Sequence, residues 1–108
     1  MKRGEIRWYT FKPPDKRRPV VILTRNSAIP VLTGITIAPL TTTIRDIPTE
    51  VLLTPEEDNV LQVSVVNLDN IQTVPKHKID GLIATLSWGQ MQAIERSICF
   101  ALGIDNYI

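Results

Sequence analysis

Stiff, branched side chains dominate this chain and constrain its fold more than any other feature. Ile, Val and Thr account for 14, 9 and 11 of the 108 residues. Branching at Cβ restricts rotation about χ1, which disfavours helices and suits the pleated surface of a sheet. The body of the chain is therefore predicted to be β-structure. It should form a single domain over residues 1–108, because one compact core normally spans about 100–150 residues.

Seven short segments have the composition and spacing of strands. The predicted strands cover residues 4–11, 19–24, 34–40, 49–53, 62–66, 69–74 and, more weakly, 79–86. The run from residue 19 to 24 is continuously apolar, which is typical of a strand buried on both faces. The segment 69–74 is predicted to continue the fifth strand past a bend. No helical pattern separates these segments, so they predict an antiparallel barrel or a strongly bent sheet.

The end of the chain carries the signals of an amphipathic helix over about residues 87–102. Ser87 is a suitable N-cap, Gln90 stands where it would complete a capping box, and Leu86 and Met91 occupy the positions of a hydrophobic staple. Gly103 is a suitable residue for a left-handed C-terminal end. The predicted apolar face consists of Trp88, Met91, Ile94, Ile98, Ala101 and Leu102.

The formal net charge of +1 hides an asymmetry along the chain. Residues 1–26 carry a net charge of +6, and residues 27–108 carry −5. A positive face of this kind could bind an anionic partner such as nucleic acid or an acidic peptide. The alternative is a chance cluster of solvated surface charges.

Several classes of protein are disfavoured by what the sequence lacks. A single Cys and a single His exclude an internal disulfide and a structural zinc site with four side-chain ligands. No apolar run approaches the roughly 20 residues of a membrane span, and the N-terminus lacks a signal-peptide pattern, so a soluble, cytoplasmic protein is expected. There is no glycine-rich phosphate loop, no nucleophile elbow and no paired acidic motif for a two-metal nuclease. No metal or other cofactor is expected.

A basic segment, Lys16-Arg17-Arg18-Pro19, is the first candidate site. Pro19 disfavours helical backbone for Arg18 and holds it extended at the mouth of a buried strand. A guanidinium on a rigid element is oriented to bind a phosphate through two parallel hydrogen bonds, or to stabilise developing negative charge. The alternative is a solvated loop whose charges only maintain solubility.

Two polar clusters are further candidates. Thr41, Thr42 and Thr43 follow a strand end and offer hydroxyl donors to phosphate or sugar oxygens, although threonine is also a common strand residue. The segment Asn67-Leu68-Asp69-Asn70 interrupts an apolar strand with amides and a carboxylate. These groups could bind base edges or position a hydroxyl, or they could simply form a bulge or turn.

Five segments occur in the order and at the spacing of a known family. They cover residues 2–6, 18–23, 38–41, 48–51 and 64–73, and the amphipathic helix follows them. With these features the chain resembles the MazF/PemK family of toxin endoribonucleases from bacterial type II toxin–antitoxin modules. The resemblance implies an SH3-like barrel of the CcdB/PemK type with a C-terminal helix, assembled as a homodimer. It also implies an acidic, partly disordered antitoxin segment as a partner.

The resemblance further implies metal-independent, sequence-specific cleavage of single-stranded RNA. The ribose 2′-hydroxyl would attack the adjacent phosphorus and leave a 2′,3′-cyclic phosphate and a 5′-hydroxyl. Arg18 matches the catalytic arginine, Thr41 the catalytic threonine, and Asp69 an aspartate that some relatives use in catalysis. The expected substrate contacts are Lys16, Arg17, Thr42, Thr43, Asn67 and Asn70. Many relatives carry Arg where Gln72 stands here, which removes a positive charge near the site.

Two other functions fit the same predicted fold. A CcdB-like protein would poison DNA gyrase and have no nuclease activity, since fold alone does not determine function. A degenerate relative would bind RNA or an antitoxin without cleaving. The combination of Arg18, Pro19 and Thr41 favours the ribonuclease, because a gyrase poison has no need of such a site.

Overall fold

The computed structural model describes residues 1–105 and confirms a mainly β fold with a helix after the last strand. The strands are β1 (Glu5–Thr10), β2 (Arg17–Ile22), β3 (Gly34–Thr41), β4 (Glu50–Leu53), β5 (Ser64–Asn67), β6 (Gln72–Pro75) and β7 (Leu82–Thr85). The helices are α1 (Pro55–Asp58) and α2 (Trp88–Leu102), and 3₁₀ turns cover Leu68–Asn70 and Lys76–Lys78. All seven predicted strands are present, with ends that differ from the prediction by at most three residues.

The sheet is antiparallel, and its strands follow the order β4-β5-β3-β2-β1-β7. Strand β3 has β2 along one side. On its other side β5 pairs with its C-terminal end and β6 with its N-terminal end. The 3₁₀ turn Leu68–Asn70 separates β5 from β6, which confirms the predicted bend between these two strands. Because one side of β3 is divided between β5 and β6, the sheet curls into a half-barrel, which confirms the prediction of a strongly bent sheet.

Strand β2 is buried on both faces, as its unbroken apolar run predicts. Val20 and Ile22 belong to one hydrophobic cluster, and Val21 between them belongs to the other, because successive side chains point to opposite faces of a sheet. The second of these clusters is the larger, and Met91 and Ile94 of α2 complete it. The sheet therefore has a core on each face, and β2 is held rigidly between the two.

Both ends of α2 are as predicted. The Ser87 side-chain oxygen accepts a hydrogen bond from the Gln90 backbone N–H at 3.2 Å. Gly103 adopts a left-handed conformation with φ of 67°, and its N–H donates to the carbonyls of Cys99 and Phe100. These local contacts satisfy backbone groups that a helix leaves unpaired at its ends.

Two details of the α2 prediction are wrong. The Gln90 side chain does not return to Ser87 to complete a capping box. It donates instead to the buried carboxylate of Asp58, at 3.1 and 3.2 Å. Trp88 and Leu102 do not belong to the buried face, since they are 78% and 61% exposed. The helix packs on β4 and on the Leu68–Asn70 turn, so its two ends extend beyond the surface that it covers.

The acidic segment 54–59, interpreted from sequence as a turn, contains the single-turn helix α1. The Thr54 hydroxyl accepts a hydrogen bond from the Glu57 N–H, and Pro55 occupies the first turn, where its missing N–H costs nothing. Asp58 accepts a hydrogen bond from the Thr54 N–H at 2.9 Å. This aspartate thus joins α1 to α2, a contact between segments that are distant in the sequence.

The start of β1 is fixed by an ion pair between Glu5 and Arg7, whose Oε1 and Nε atoms lie 2.9 Å apart. Burial raises the pKa of Glu5, but the Lys2 backbone N–H and the Arg7 guanidinium stabilise the carboxylate more strongly. The pKa of Glu5 therefore lies below its usual value of 4.5. Neither α1 nor α2, the helices of the described chain, is long and apolar enough to cross a bilayer.

Candidate active site

The register of β2 against β3 brings Arg18 and Thr41 together. Val20 lies opposite Pro39 and Val21 opposite Ala38. The pairing of β2 with β3 ends there, and Arg18 and Thr41 lie two residues further along, at the adjoining ends of the two strands. Arg18 lies within β2, which begins at Arg17 rather than at the predicted Pro19, so both arginines stand on a strand and not in a loop.

Arg18 and Thr41 lie between two adjoining pockets and line both of them. The first, which we call the amide pocket, has a volume of about 180 Å³ and is lined by Phe11, Asp15, Arg18, Pro39, Leu40, Thr41, Thr43, Arg45, Glu50, Asn67 and Asn70. The second, which we call the indole pocket, has a volume of about 200 Å³. It is lined by Ile6, Trp8, Lys16, Arg17, Arg18, Pro19, Leu40, Thr41, Thr42, Val60, Leu61, Gln62, Ser64 and Ile83. The boundary between the two pockets is where a bound chain would meet both candidate catalytic groups.

The guanidinium of Arg18 is held by one carboxylate. Its Nε and Nη2 atoms donate to Oδ1 of Asp15 at 3.2 and 3.1 Å. The Nη1 atom makes no hydrogen bond within residues 1–105, so one edge of the guanidinium is available to an anion. The Arg18 side chain is 29% exposed, which gives it access to a ligand while limiting its movement.

The three consecutive threonines divide between the two pockets. Thr41 is half-buried and contributes to both, whereas Thr42 lines the indole pocket and Thr43 the amide pocket. The Thr41 hydroxyl oxygen accepts a hydrogen bond from the Thr43 N–H at 3.2 Å. Since the oxygen is the acceptor there, the hydroxyl proton remains available for a phosphate oxygen.

The indole pocket carries the positive charge of the site. Lys16, Arg17 and Arg18 line it, and none of its lining residues is acidic. The guanidinium carbon of Arg17 lies 4.3 Å from the centre of the Trp8 ring, a cation–π contact. By comparison, the charges that line the amide pocket cancel, because it has two arginines and two carboxylates.

The amide pocket contains the two predicted asparagines, and each makes a local hydrogen bond. Asn67 Oδ1 accepts from the Asp69 N–H at 3.1 Å and so begins the 3₁₀ turn. Asn70 Oδ1 accepts from Gln72 Nε2 at 3.1 Å. Gln72 thus orients an amide of the pocket.

Asp69 is the one predicted site residue that lines neither pocket. Its Oδ2 accepts a hydrogen bond from the Thr49 hydroxyl at 2.6 Å, on the side of the 3₁₀ turn that faces β4. The carboxylates that do line the amide pocket are Asp15 and Glu50. Oε1 of Glu50 accepts from the backbone N–H groups of Arg45 and Asp46 at 2.9 and 3.1 Å. These bonds leave its Oε2 atom available to a substrate.

Sequence reasoning missed several residues that the fold brings to the site. They are Trp8, Phe11, Asp15, Arg45, Glu50, Leu61 and Gln62. Trp8 could have been found, because Ile6 and Trp8 alternate with polar Arg7 along β1 and therefore share one face. The positions of Glu50 and Gln62 depend on the pairing of β4 and β5 with the rest of the sheet, for which the sequence holds no local signal. Within residues 1–105, no three His, Cys, Asp or Glu side chains lie close enough to hold a metal ion.

Residues 2–102 match the family model described as PemK-like, MazF-like toxin of type II toxin–antitoxin system. The chain belongs to this family. A probable endoribonuclease MazF5 of Mycobacterium tuberculosis is 39% identical over 102 residues, which are 94% of this chain and 89% of that protein. The match to the family model covers every strand and helix described above, from β1 to the end of α2.

Solved structures confirm the PemK/MazF fold. The Mycobacterium tuberculosis toxin MazF-mt6 is similar with a TM-score of 0.84 and 39% identity, over 94% of this chain and 98% of that one. A mycobacterial endoribonuclease in complex with its cognate antitoxin has a TM-score of 0.85 and 27% identity, over 96% of each chain. The predicted resemblance to the MazF/PemK family is therefore confirmed.

Proposed function

We propose that this PemK/MazF-family protein is a toxin of a type II toxin–antitoxin system that cleaves single-stranded RNA. The phosphate that is cleaved binds where the amide pocket meets the indole pocket. The observation that carries the proposal is the shared position of Arg18 and Thr41 at the boundary of the two pockets. The names of the similar proteins, which are endoribonucleases, support the same activity. The basic lining of the indole pocket supports an anionic substrate.

The chemistry is a transesterification within the RNA itself. The ribose 2′-oxygen forms a bond to the adjacent phosphorus as a base removes its proton, and the bond from phosphorus to the 5′-oxygen breaks. The products are a 2′,3′-cyclic phosphate and, after protonation of the leaving oxygen, a 5′-hydroxyl. Because the substrate supplies the nucleophile, the protein has to align the phosphate, stabilise its extra charge and transfer protons.

Two of these roles belong to the Arg18–Thr41 pair. The free edge of the Arg18 guanidinium binds a non-bridging phosphate oxygen and stabilises the charge that develops on it. The Thr41 hydroxyl donates a hydrogen bond to a phosphate oxygen. The leaving 5′-oxygen takes its proton from solvent water, and Arg18 stabilises the negative charge on that oxygen until it does. No metal ion is needed in this scheme, and metal-independence remains a prediction.

The family resemblance marks Asp69 as a catalytic aspartate, a base or a binding residue, whereas the geometry favours Glu50 as the base. Glu50 lines the amide pocket beside Arg18, with one oxygen held by backbone amides and the other available. Asp15 also lines this pocket, but its Oδ1 is engaged by Arg18. We assign Asp69 a positioning role, because it binds Thr49, the residue directly before Glu50.

The partner of this toxin is an acidic, partly disordered segment of a cognate antitoxin, and both act in the cytoplasm. The similar mycobacterial endoribonuclease was solved in complex with its antitoxin, which supports such a partner here. A negatively charged chain would neutralise Lys16, Arg17 and Arg18 and so compete directly with RNA. The functional unit is a homodimer, as the family resemblance implies.

Digestion of single-stranded RNA by the purified protein, with mapping of both new ends, tests the proposed function. We expect cleavage at a limited set of sequences, cyclic phosphate at one end, 5′-hydroxyl at the other, and undiminished activity in EDTA. Arg18→Ala should lower the cleavage rate roughly 100- to 1,000-fold, the usual effect of one transition-state donor. Arg25→Ala is a matched control, because Arg25 is an exposed arginine of the positively charged region 1–26 that lines neither pocket.

Three results would contradict this proposal. Full activity of Arg18→Ala would show that the mechanism does not depend on Arg18. Loss of activity in EDTA would indicate a metal site. Intact RNA combined with trapped DNA–gyrase complexes would instead identify a gyrase poison.

A further inference from the structure

The indole pocket adjoins the proposed cleavage point and has a size that the cleavage mechanism does not explain. Arg18 and Thr41 at its edge are sufficient to bind a phosphate, yet the pocket extends from them to Trp8, Leu61 and Ile83. Its volume of about 200 Å³ is below that of sites for drug-sized ligands, which occupy about 300–1,000 Å³. A pocket of this size suits one planar ring system rather than a longer ligand.

The wall of the indole pocket is built for stacking. The guanidinium of Arg17 lies over the Trp8 ring at 4.3 Å, so the two planar groups support each other at the pocket's surface. Proteins that bind single-stranded RNA commonly stack bases on aromatic rings and on arginine guanidinium planes. The Arg17 side chain is 52% exposed and has a distant partner, Asp80, at 3.7 Å, so it is free to adjust to a ligand.

Leu61 and Gln62, from the segment before β5, add an apolar surface and an unpaired amide to the lining of the pocket. Leu61 is 67% exposed and offers an apolar surface to a ligand in the pocket. Gln62 is also exposed, and its side chain makes no hydrogen bond within residues 1–105. Its backbone is fixed, because the Ser64 hydroxyl donates to the Gln62 carbonyl at 2.8 Å. A fixed backbone with a free amide is suited to forming hydrogen bonds with a base edge.

We propose that the indole pocket binds one of the two nucleobases adjoining the scissile phosphate, by stacking against Trp8 and Arg17 and by hydrogen bonding to the Gln62 amide. This inference rests on the proposed function and extends it from cleavage to sequence recognition. The cationic lining attracts the RNA, the stacking wall holds one base, and Gln62 distinguishes among bases. The boundary position of Arg18 then aligns the neighbouring phosphate.

Fluorescence titration tests the stacking directly. The chain has two tryptophans, so Trp88→Phe leaves Trp8 as the single tryptophan, and Trp88 is an exposed residue that lines neither pocket. The ligand is an RNA oligonucleotide that carries the mapped cleavage sequence, with a 2′-O-methyl group that prevents cleavage. We expect saturable quenching of Trp8, lost when one of the two nucleotides flanking the scissile phosphate is made abasic. Quenching that neither abasic substitution changes would overturn the proposal.

A double-mutant cycle gives a second readout that a structural role of Trp8 would not produce. Trp8→Leu should lower kcat/KM for intact RNA roughly 10- to 100-fold, through KM, since stacking on one aromatic side chain contributes that much. On the abasic substrate, Trp8→Leu and the wild-type residue should give the same rate. An equal loss on both substrates would show that the tryptophan acts only through the fold. If Trp8→Leu fails to fold, Arg17→Ala serves the same cycle, with Arg25→Ala as the control for lost charge.

Base selection is tested with Gln62→Ala. The variant should still cleave RNA but accept more bases at one position next to the cut, as read from end-mapping of a randomised substrate. An unchanged preference at both flanking positions would remove Gln62 from the proposed site. Failure of the wild-type protein to cleave or bind any RNA would instead contradict the proposed function, so the two failures are distinguishable.

Discussion

Three carboxylates surround the candidate site, and their hydrogen bonds assign them different roles. Asp15 is paired with Arg18 and holds the guanidinium in place until a phosphate binds. Asp69 binds the Thr49 hydroxyl, and the Thr49 carbonyl in turn accepts the Leu68 N–H at 2.9 Å, so this contact fixes the start of β4. Glu50 follows Thr49 and directs a carboxylate into the amide pocket. Glu50 therefore combines a fixed position with an available oxygen.

The assignment of the base is tested by comparing Glu50→Gln with Asp69→Asn. Glutamine keeps an oxygen for the N–H groups of Arg45 and Asp46 but cannot accept a proton at neutral pH. We expect Glu50→Gln to lower kcat roughly 100- to 10,000-fold, the usual contribution of a general base. A larger loss in Asp69→Asn than in Glu50→Gln would restore Asp69 as the base.

At the scale of elements, a contact between α1 and α2 holds the strand that carries Glu50. Asp58 of α1 is 6% exposed, and its carboxylate accepts hydrogen bonds from Thr54 N–H and from the Gln90 amide of α2. The same Gln90 amide lies 3.3 Å from the Leu52 carbonyl of β4. One glutamine therefore links the helix to both the strand and the turn that follows it.

Gln90→Ala should destabilise the protein far more than Gln92→Ala. Loss of the Gln90 amide leaves a buried carboxylate with one partner fewer, which costs roughly 1–3 kcal/mol. Gln92 is the matched control, since it is the same residue type on the same helix and its side chain makes no hydrogen bond within residues 1–105. Urea unfolding followed by circular dichroism measures both free energies of unfolding. Equal values for the two variants would show that the Asp58 contact contributes nothing.

At the scale of the whole molecule, an open groove with a mixed polar and apolar lining adjoins the candidate site. It lies between β4 and α2 and is lined by Pro48, Glu50, Val51, Leu52, Gln90, Ala93, Arg96, Ser97 and Phe100. Leu52 and Phe100 in this groove are 52% and 63% exposed. Exposed apolar surface of this kind marks protein–protein contacts. Because Glu50 lines both the groove and the amide pocket, a second copy seated in the groove would lie beside the bound RNA.

If the proposed homodimer forms through this groove, a charged side chain introduced into the groove should separate the two copies. Phe100→Lys and Leu52→Lys should each convert a dimer to a monomer at micromolar concentration, because an ammonium group cannot be buried without a partner. Val31→Lys is the control, as Val31 is 77% exposed and does not line the groove. Light scattering coupled to size-exclusion chromatography measures the mass of each variant. A dimer that persists in both groove variants would place its interface elsewhere.

Much of the fold follows from sequence because its signals are local. The strands follow from branched and apolar runs, and both ends of α2 follow from Ser87 and Gly103, whose hydrogen bonds reach only a few residues along the chain. The Gln90 side chain was misjudged for the complementary reason. A capping box is the best local partner for this glutamine, but folding brings it the buried charge of Asp58, which is a stronger acceptor.

The sequence by itself determined a curled antiparallel sheet with a capped C-terminal helix, the family, and the pair of Arg18 and Thr41 within it. The tertiary structure alone decided which other groups meet that pair. Asp69 lies between two asparagines of the amide pocket in the sequence, yet the 3₁₀ turn directs its carboxylate to Thr49. Glu50 begins β4, at one end of the strand order, whereas Trp8 lies on β1, next to the last strand at the other end. Strand register, which depends on contacts across the whole sheet, sets these positions, and no short stretch of residues encodes it.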